Sequence, residues 1–166
     1  MGSLLFSYFD GSLHDFLTHI KEMSDNSLVK IRLARVTPEA LTVLSSAGVD
    51  NTFDHVLDNF SVNHIITKHA NEKEVLRGQA ILQESDFQLI PFIVSNYDSV
   101  QIESVKNKTI VIYSKTCYDS INCYIEEIRK GRHELAGVTF YKRKKEAHRR
   151  KELNSAISGF ASLLQR

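Results

Sequence analysis

Leu13, Phe16, Leu17, Ile20 and Met23 recur at intervals of three and four, the spacing of one apolar helix face. Ser12 opens this run in a capping-box-like "SLHD", and "SDNS" ends it. "LVKIRLARV" then changes period: Val29, Ile31 and Leu33 alternate with Lys30, Arg32 and Ala34, which predicts a half-buried strand. "TPEALTVLSSAG" is punctuated as a helix, with Thr37 as N-cap, Pro38 in the first turn, Glu39 near the positive end of the dipole and Gly48 as the stop. Ser61 can cap the next helix, where Val62, Ile65, Ile66 and His69 share one face while Asn63, His64 and Lys68 lie to the sides or outward. Asn71 favours a break, followed by a short helix over "EKEVLRGQ". A further helix begins near Ser85-Asp86 and runs through "FQLIPFIVSNY", kinked or broken at Pro91.

The remaining pattern is strand-like. "VQIESV" and "TIVIYSK" flank the turn-like "KNK", and "SINCYIEEIR" and "LAGVTFYKR" flank "KGRHE", where Gly131 suits a hairpin turn. In the last strand Val138 and Phe140 are expected on one side, with Thr139, Tyr141 and Arg143 on the other. Helices followed by strands indicate an α+β fold, with N-terminal helices packed on a C-terminal antiparallel meander. A final basic helix from about Lys145 to Leu164 offers Leu153, Ile157, Phe160 and Leu164 as its packing stripe. The 166 residues suit one domain. Its expected parts are a helical extension over 1–29, a core over 30–145 and the C-terminal helix over 146–166.

Composition narrows the class. The formal net charge is +1, but residues 84–166 carry 14 Lys/Arg against 10 Asp/Glu, whereas residues 1–83 carry 7 against 10. The excess concentrates in "KRKKEAHRRK", Lys142 to Lys151, a cluster that attracts polyanions by counterion release unless it is only a solvated helix face. Cys117 and Cys123 form no disulfide framework and no CxxC pair, so a reducing, cytoplasmic setting is expected. No run approaches the roughly 20 apolar residues of a membrane span, and "MGSLLFSYF" lacks the basic n-region of a signal peptide. No membrane partner is expected. His64 and His69 do not fit HExxH and no third ligand has an evident spacing, so no metal site and no cofactor are expected.

The polar residues fit chemistry on RNA. Metal-free cleavage needs a base for the ribose 2′-OH, an acid for the leaving 5′-oxygen, and donors for the charge growing on the phosphoryl group. Histidine suits proton transfer near neutrality. Arginine offers a fork of two parallel donors to phosphate, and tyrosine can stack a base or donate a proton. His69, Arg77, Gln79, Thr139 and Tyr141 supply these types. Each also has a plain structural role available: His69 as a core histidine, Arg77 as an ion-pair partner of Glu74 or Asp86, Gln79 after a helix stop, Thr139 and Tyr141 as strand formers. Glu126 and Glu127 are adjacent in a strand, hence on opposite faces, and make no paired-carboxylate device.

Order and spacing add to this. "HIITKH", then Glu74 and Arg77 to Gln79 in "E..RGQ", then "SDFQLIP" with Asp86 and Pro91, then "VTFYKRK" closing a meander resembles the barnase–EndoU–colicin–RelE-like nuclease group found among phage-borne and polymorphic-toxin domains. The resemblance spans about Lys30 to Lys145. It implies helices against an antiparallel sheet and metal-independent RNA cleavage leaving a 2′,3′-cyclic phosphate, by a toxin or phage effector, often on translation components such as tRNA. Carried over by position, His69, Arg77, Thr139 and Tyr141 are the expected catalytic residues. His64, Lys68, Gln79, Glu127, Arg143 and Lys144 are the expected substrate contacts. No plain counterpart of a barnase-type catalytic glutamate is visible, so which group is acid and which is base stays open. A cognate immunity protein or antitoxin is the expected protein partner. The alternatives are a non-catalytic nucleic-acid-binding module on the same fold, and a phage-assembly domain whose basic helix docks an acidic protein.

Overall fold

The computed structural model describes residues 5–145. In chain order its strands are β1 (Phe6–Tyr8), β2 (Leu28–Arg35), β3 (Asp54–Asp58), β4 (Gln79–Ala80), β5 (Ser99–Val105), β6 (Lys108–Cys117), β7 (Ser120–Arg129) and β8 (Glu134–Lys144). The helices are α1 (Leu13–Glu22), α2 (Pro38–Leu44), α3 (Asn59–His69), α4 (Lys73–Leu76) and α5 (Ile90–Ser95). The strands form one mixed sheet in the order β1-β2-β3-β8-β7-β6-β5, with β4 paired to β8. The fold is therefore α+β.

The predicted meander is present as β5 to β8, antiparallel throughout. Lys106 and Asn107 make the β5–β6 turn, with φ of 48° and 65°, the left-handed pair that a two-residue hairpin favours. The sheet is not confined to the C-terminal half, however. β8 runs parallel to β3 through Glu134–Ala136, and β3 continues antiparallel into β2. β3 reads "DHVLD", five residues with acids at both ends and no alternation, so period-two reasoning passes over it. β1 adds a parallel edge to β2, and α1 buries Phe16, Leu17 and Ile20. Residues 1–29 thus contribute, in their described part, to the common core rather than to an appendage.

That core joins Phe16 and Ile20 of α1 to Ile31, Leu57, Val62, Ile65, Phe87, Ile90, Ile93, Tyr113, Tyr124, Leu135 and Phe140. Fully burying each such aliphatic or Phe side chain contributes about 1.5–3 kcal/mol before the cost of ordering. Local signals mostly fall where the pattern placed them. Ser12 and Thr37 accept from Asp15 N and Ala40 N as N-caps, and Gly48 stops its turn at φ 84°.

Four local expectations are corrected. Asp58, not Ser61, caps α3, its carboxylate accepting from Ser61 N at 2.7 Å. "ESDFQL" is a 3₁₀ turn rather than α-helix, while the expected break does fall at Pro91, which stands in the first turn of α5, where its missing N–H costs nothing. The β7–β8 link takes its left-handed residue at His133, φ 53°, not at Gly131. Val138 and Phe140 do not share a side: Phe140 is fully buried and Val138 is 37% exposed. The register steps from Ile125↔Thr139 to Glu126↔Gly137, which leaves Val138 as the extra residue of a bulge. The expected C-terminal helix lies outside the described residues except for Lys145. Among the described residues no helix is long and apolar enough to cross a membrane.

Candidate active site

α3 ends where its buried stripe ends. Val62, Ile65 and His69 are buried while Asn63, His64 and Lys68 are exposed. Asn71 then breaks the helix, its side-chain oxygen accepting from Lys73 N at 3.0 Å, a local bond that competes with helix continuation. The chain turns back through α4, which brings Glu74 beneath His69. Gly78, at φ 73°, turns the chain into β4, and Leu82 N donates to His69 O at 3.0 Å, tying the returning segment to the end of α3.

β8 supplies the other wall. On one side it pairs with β3 as far as Ala136 and with β4 from Lys142 onward. Between them, Gly137 to Tyr141 face no strand on that side among the described residues. The bulge lies in this gap. Gly137 and Phe140 both point inward: a Cβ on Gly137 would strike the Tyr124 hydroxyl and Leu57, and the Phe140 ring packs edge-on against Tyr124. Two inward residues three positions apart require an extra one between them, and the shift places Thr139 and Tyr141 on the opposite face. There Thr139 meets His69.

The contacts form a chain. Glu74, fully buried, lies 2.8 Å through Oε2 from His69 Nδ1 and accepts from Arg77 Nη1 through Oε1 at 3.1 Å. His69 Nε2 lies 3.1 Å from Thr139 Oγ1. A carboxylate accepts only, so in the neutral ring Nδ1 carries the hydrogen and Nε2 is left as an acceptor for the Thr139 hydroxyl. Beside the imidazole stands Tyr141, ring centroids 5.6 Å apart and planes tilted by 33°. Loss of solvation raises the Tyr141 phenol, with the Cys123 thiol adding to the effect and the Arg143 guanidinium opposing it, so the hydroxyl stays a donor through neutral pH. Arg143 Nη2 lies 3.4 Å from that hydroxyl. Cys123, opposite Tyr141 on β7, is also raised by desolvation, as expected of an unreactive thiol.

His69, Arg77, Thr139 and Tyr141 are thus brought together, with Arg143 alongside. Gln79 stands opposite Arg143 in the β4–β8 pairing, its side-chain oxygen buried without a donor among the described residues. Lys144 is exposed at the end of β8. His64 and Lys68 are exposed on the outward side of α3. Glu127 follows Ile125, the residue opposite Thr139, by two positions, and its carboxylate lies 3.6 Å from Lys108 and 3.7 Å from Arg129. It lines a separate cavity of about 800 Å³ with Asp58, Phe60, Arg129 and Arg132. Asp86 pairs with Lys142 at 3.0 Å rather than with Arg77.

Sequence reasoning used Glu74 as a motif position in "E..RGQ" and as a partner for Arg77, and gave it no part in the site. Five residues from His69, it could not share a face with it on one continuous helix. Asn71 was the signal: a break there folds α4 back onto the end of α3.

Residues 35–150 match the protein family described as phage-Barnase-EndoU-ColicinE5/D-RelE like nuclease 3. The match includes every residue of the cluster and leaves β1, α1 and most of β2 before it. No curated protein and no solved structure matches the chain.

Proposed function

The chain belongs to this phage-associated nuclease family, and from that premise we propose that it is a metal-independent endoribonuclease, a toxin or phage effector. The observation that carries the reading is the Glu74–His69–Thr139 chain. It leaves an imidazole nitrogen free to accept, beside a protonated phenol and a guanidinium. A ribose 2′-hydroxyl enters beside Thr139 Oγ1, which holds the ring, and comes within reach of the same nitrogen. His69 Nε2 removes its proton, the 2′-oxygen attacks phosphorus, and the bond to the 5′-oxygen breaks. That oxygen takes its proton from Tyr141, so the products are a 2′,3′-cyclic phosphate and a 5′-hydroxyl. Arg143 beside the phenol stabilises the transient phenolate, which recovers its proton from the imidazolium through solvent.

Arg77 has one hydrogen bond to Glu74 and a side chain 56% exposed, so its remaining donors are available to the phosphoryl oxygens. Gln79 and Arg143 extend the contact surface along the β4–β8 edge, and Lys144, exposed at the end of β8, adds a cation to the field around it. A cognate immunity protein would act by covering this gap.

The test is incubation of wild type and His69→Gln with total cellular RNA in EDTA, followed by end-group analysis. Discrete cuts with cyclic-phosphate ends, lost in a folded His69→Gln protein, are expected. Cleavage that requires added metal overturns the mechanism. Absence of cleavage across several RNA sources leaves a binding module.

A further inference from the structure

Tyr118 is 98% exposed and sits in the two-residue link between β6 and β7, directly after the last pairing, Cys117↔Ser120. Its φ is +56°, a backbone region that suits glycine or asparagine and carries a steric cost for tyrosine. A side chain so exposed makes too little contact with the protein to offset that cost.

The tip is not isolated. Ser120 pairs with Lys144, and Lys145 N donates to Asp119 O at 3.0 Å, so the link lies against the end of β8. Arg143, Lys144 and Lys145 are all exposed there. From Lys144 the strand leads back to Tyr141 and Thr139, the three residues to Tyr141 spanning about 10 Å. An exposed aromatic ring at the link, the exposed cations at the end of β8 and the Thr139–His69 contact farther back on that strand thus follow one another. Alternating cations and aromatic faces are what a single nucleic-acid strand needs: cations for the phosphates, a ring for an unpaired base.

We propose that the β6–β7 tip is a base-stacking platform, with Tyr118 holding one unpaired nucleobase of an RNA strand a few nucleotides from the scissile phosphate and Arg143, on the face of Tyr141 and Thr139, holding a phosphate between. The proposal rests on the ribonuclease reading for its substrate and extends it to a preference for single-stranded RNA next to the cut.

The chain contains no tryptophan, so Tyr118→Trp places a single reporter at the tip. In the non-cleaving His69→Gln protein, a labelled single strand of about 12 nucleotides is titrated while its anisotropy reports binding and tryptophan emission reports stacking. Quenching that saturates with binding is expected, and the same sequence as a duplex should quench little. Binding without quenching, or no binding at all, overturns the platform. Tyr118→Gly separates a structural role from this one. It should weaken single-strand binding by about 5- to 150-fold while the urea midpoint stays at or above wild type. Unchanged binding, or a loss of binding that merely follows a lower midpoint, overturns the proposal. If quenching occurs but wild type cuts no RNA, the platform stands and the catalytic reading falls.

Discussion

Glu74→Gln isolates the feature on which the site depends. The side chain keeps its shape and loses its charge, so the change falls on the hydrogen bonds. The bond to His69 Nδ1, 2.8 Å long and wholly buried on the carboxylate side, belongs to the charge-assisted kind that contributes about 1.5–3 kcal/mol. The bond to Arg77 counts for less, because that side chain is 56% exposed and water screens the pair to about 0–1 kcal/mol. The substituted amide recovers part of the total, so a loss of about 2 kcal/mol in unfolding free energy is expected. The catalytic effect is larger. An amide can present its NH₂ to Nδ1, which moves the ring hydrogen to Nε2, and a nitrogen already carrying hydrogen cannot take the proton of a 2′-hydroxyl. Losing general-base catalysis costs about 10²–10⁴-fold in rate.

The assay is single-turnover cleavage of a defined RNA at saturating protein, with a urea melt of each variant to show that it is folded under assay conditions. The expected pattern is a fall of the chemical step by at least about 10²-fold with RNA binding unchanged within about threefold. A Glu74→Gln protein that cleaves within about threefold of wild type, less than 1 kcal/mol of barrier, refutes the argument that Glu74 sets the imidazole. A variant that loses binding and cleavage in equal measure refutes it too, since that marks Glu74 as scaffolding.

Thr139→Val removes the hydroxyl at His69 Nε2, while Thr139→Ser keeps it. Cleavage rates of the two should differ by at least about tenfold if that hydroxyl aligns the imidazole, and equal rates count against its role. Gly137→Ala places a methyl against the Tyr124 hydroxyl and Leu57 and should cost about 1–3 kcal/mol by urea melting; a neutral result contradicts the tight packing beneath the bulge. The Tyr8 phenol is pushed up to about 12 by burial and by its bond to Glu134 at 2.6 Å. A raised folded value means that this stabilisation is complete below pH 10 and is lost as pH climbs toward 12. The urea midpoint of wild type should therefore fall relative to Tyr8→Phe across that interval, and a constant difference between the two rejects the linkage.

What the sequence made legible was periodic or local. The stripe Val62, Ile65, Ile66 and His69 placed His69 against the body of the protein because a helix repeats every 3.6 residues. The alternation in β5 to β8 showed the meander for the equivalent reason. β3 was hidden because five residues bounded by aspartates carry no period, and its parallel partner β8 is about eighty positions away. The bulge at Val138 was hidden because "LAGVTFYKR" alternates acceptably in either register. Only packing at both inward positions, Gly137 against Tyr124 and Phe140 against Tyr124, shows that one residue is surplus. Thr139 and Tyr141 were assigned the correct common face, and Val138 was assigned wrongly, because the count ran through the bulge unbroken.

A second buried histidine–glutamate pair shows what sets the proposed site apart. His55 Nδ1 lies 2.8 and 3.0 Å from the two Glu126 oxygens, as close as His69 lies to Glu74, and both members are fully buried. The residue types and the first hydrogen bond are therefore the same. The difference is at the other ring nitrogen. Among the described residues His55 Nε2 is enclosed with no hydrogen-bond partner, and the Tyr113 ring stands 6.0 Å from its own. It belongs to β3, inside the sheet, with β2 on one side and β8 on the other. His69 leaves the end of a helix exactly where β8 has lost β3 and not yet gained β4, so its Nε2 reaches a half-buried hydroxyl at an interruption in the sheet. A buried carboxylate orients an imidazole in either place. Only the divided edge of β8 gives the oriented nitrogen something outside the core to act upon.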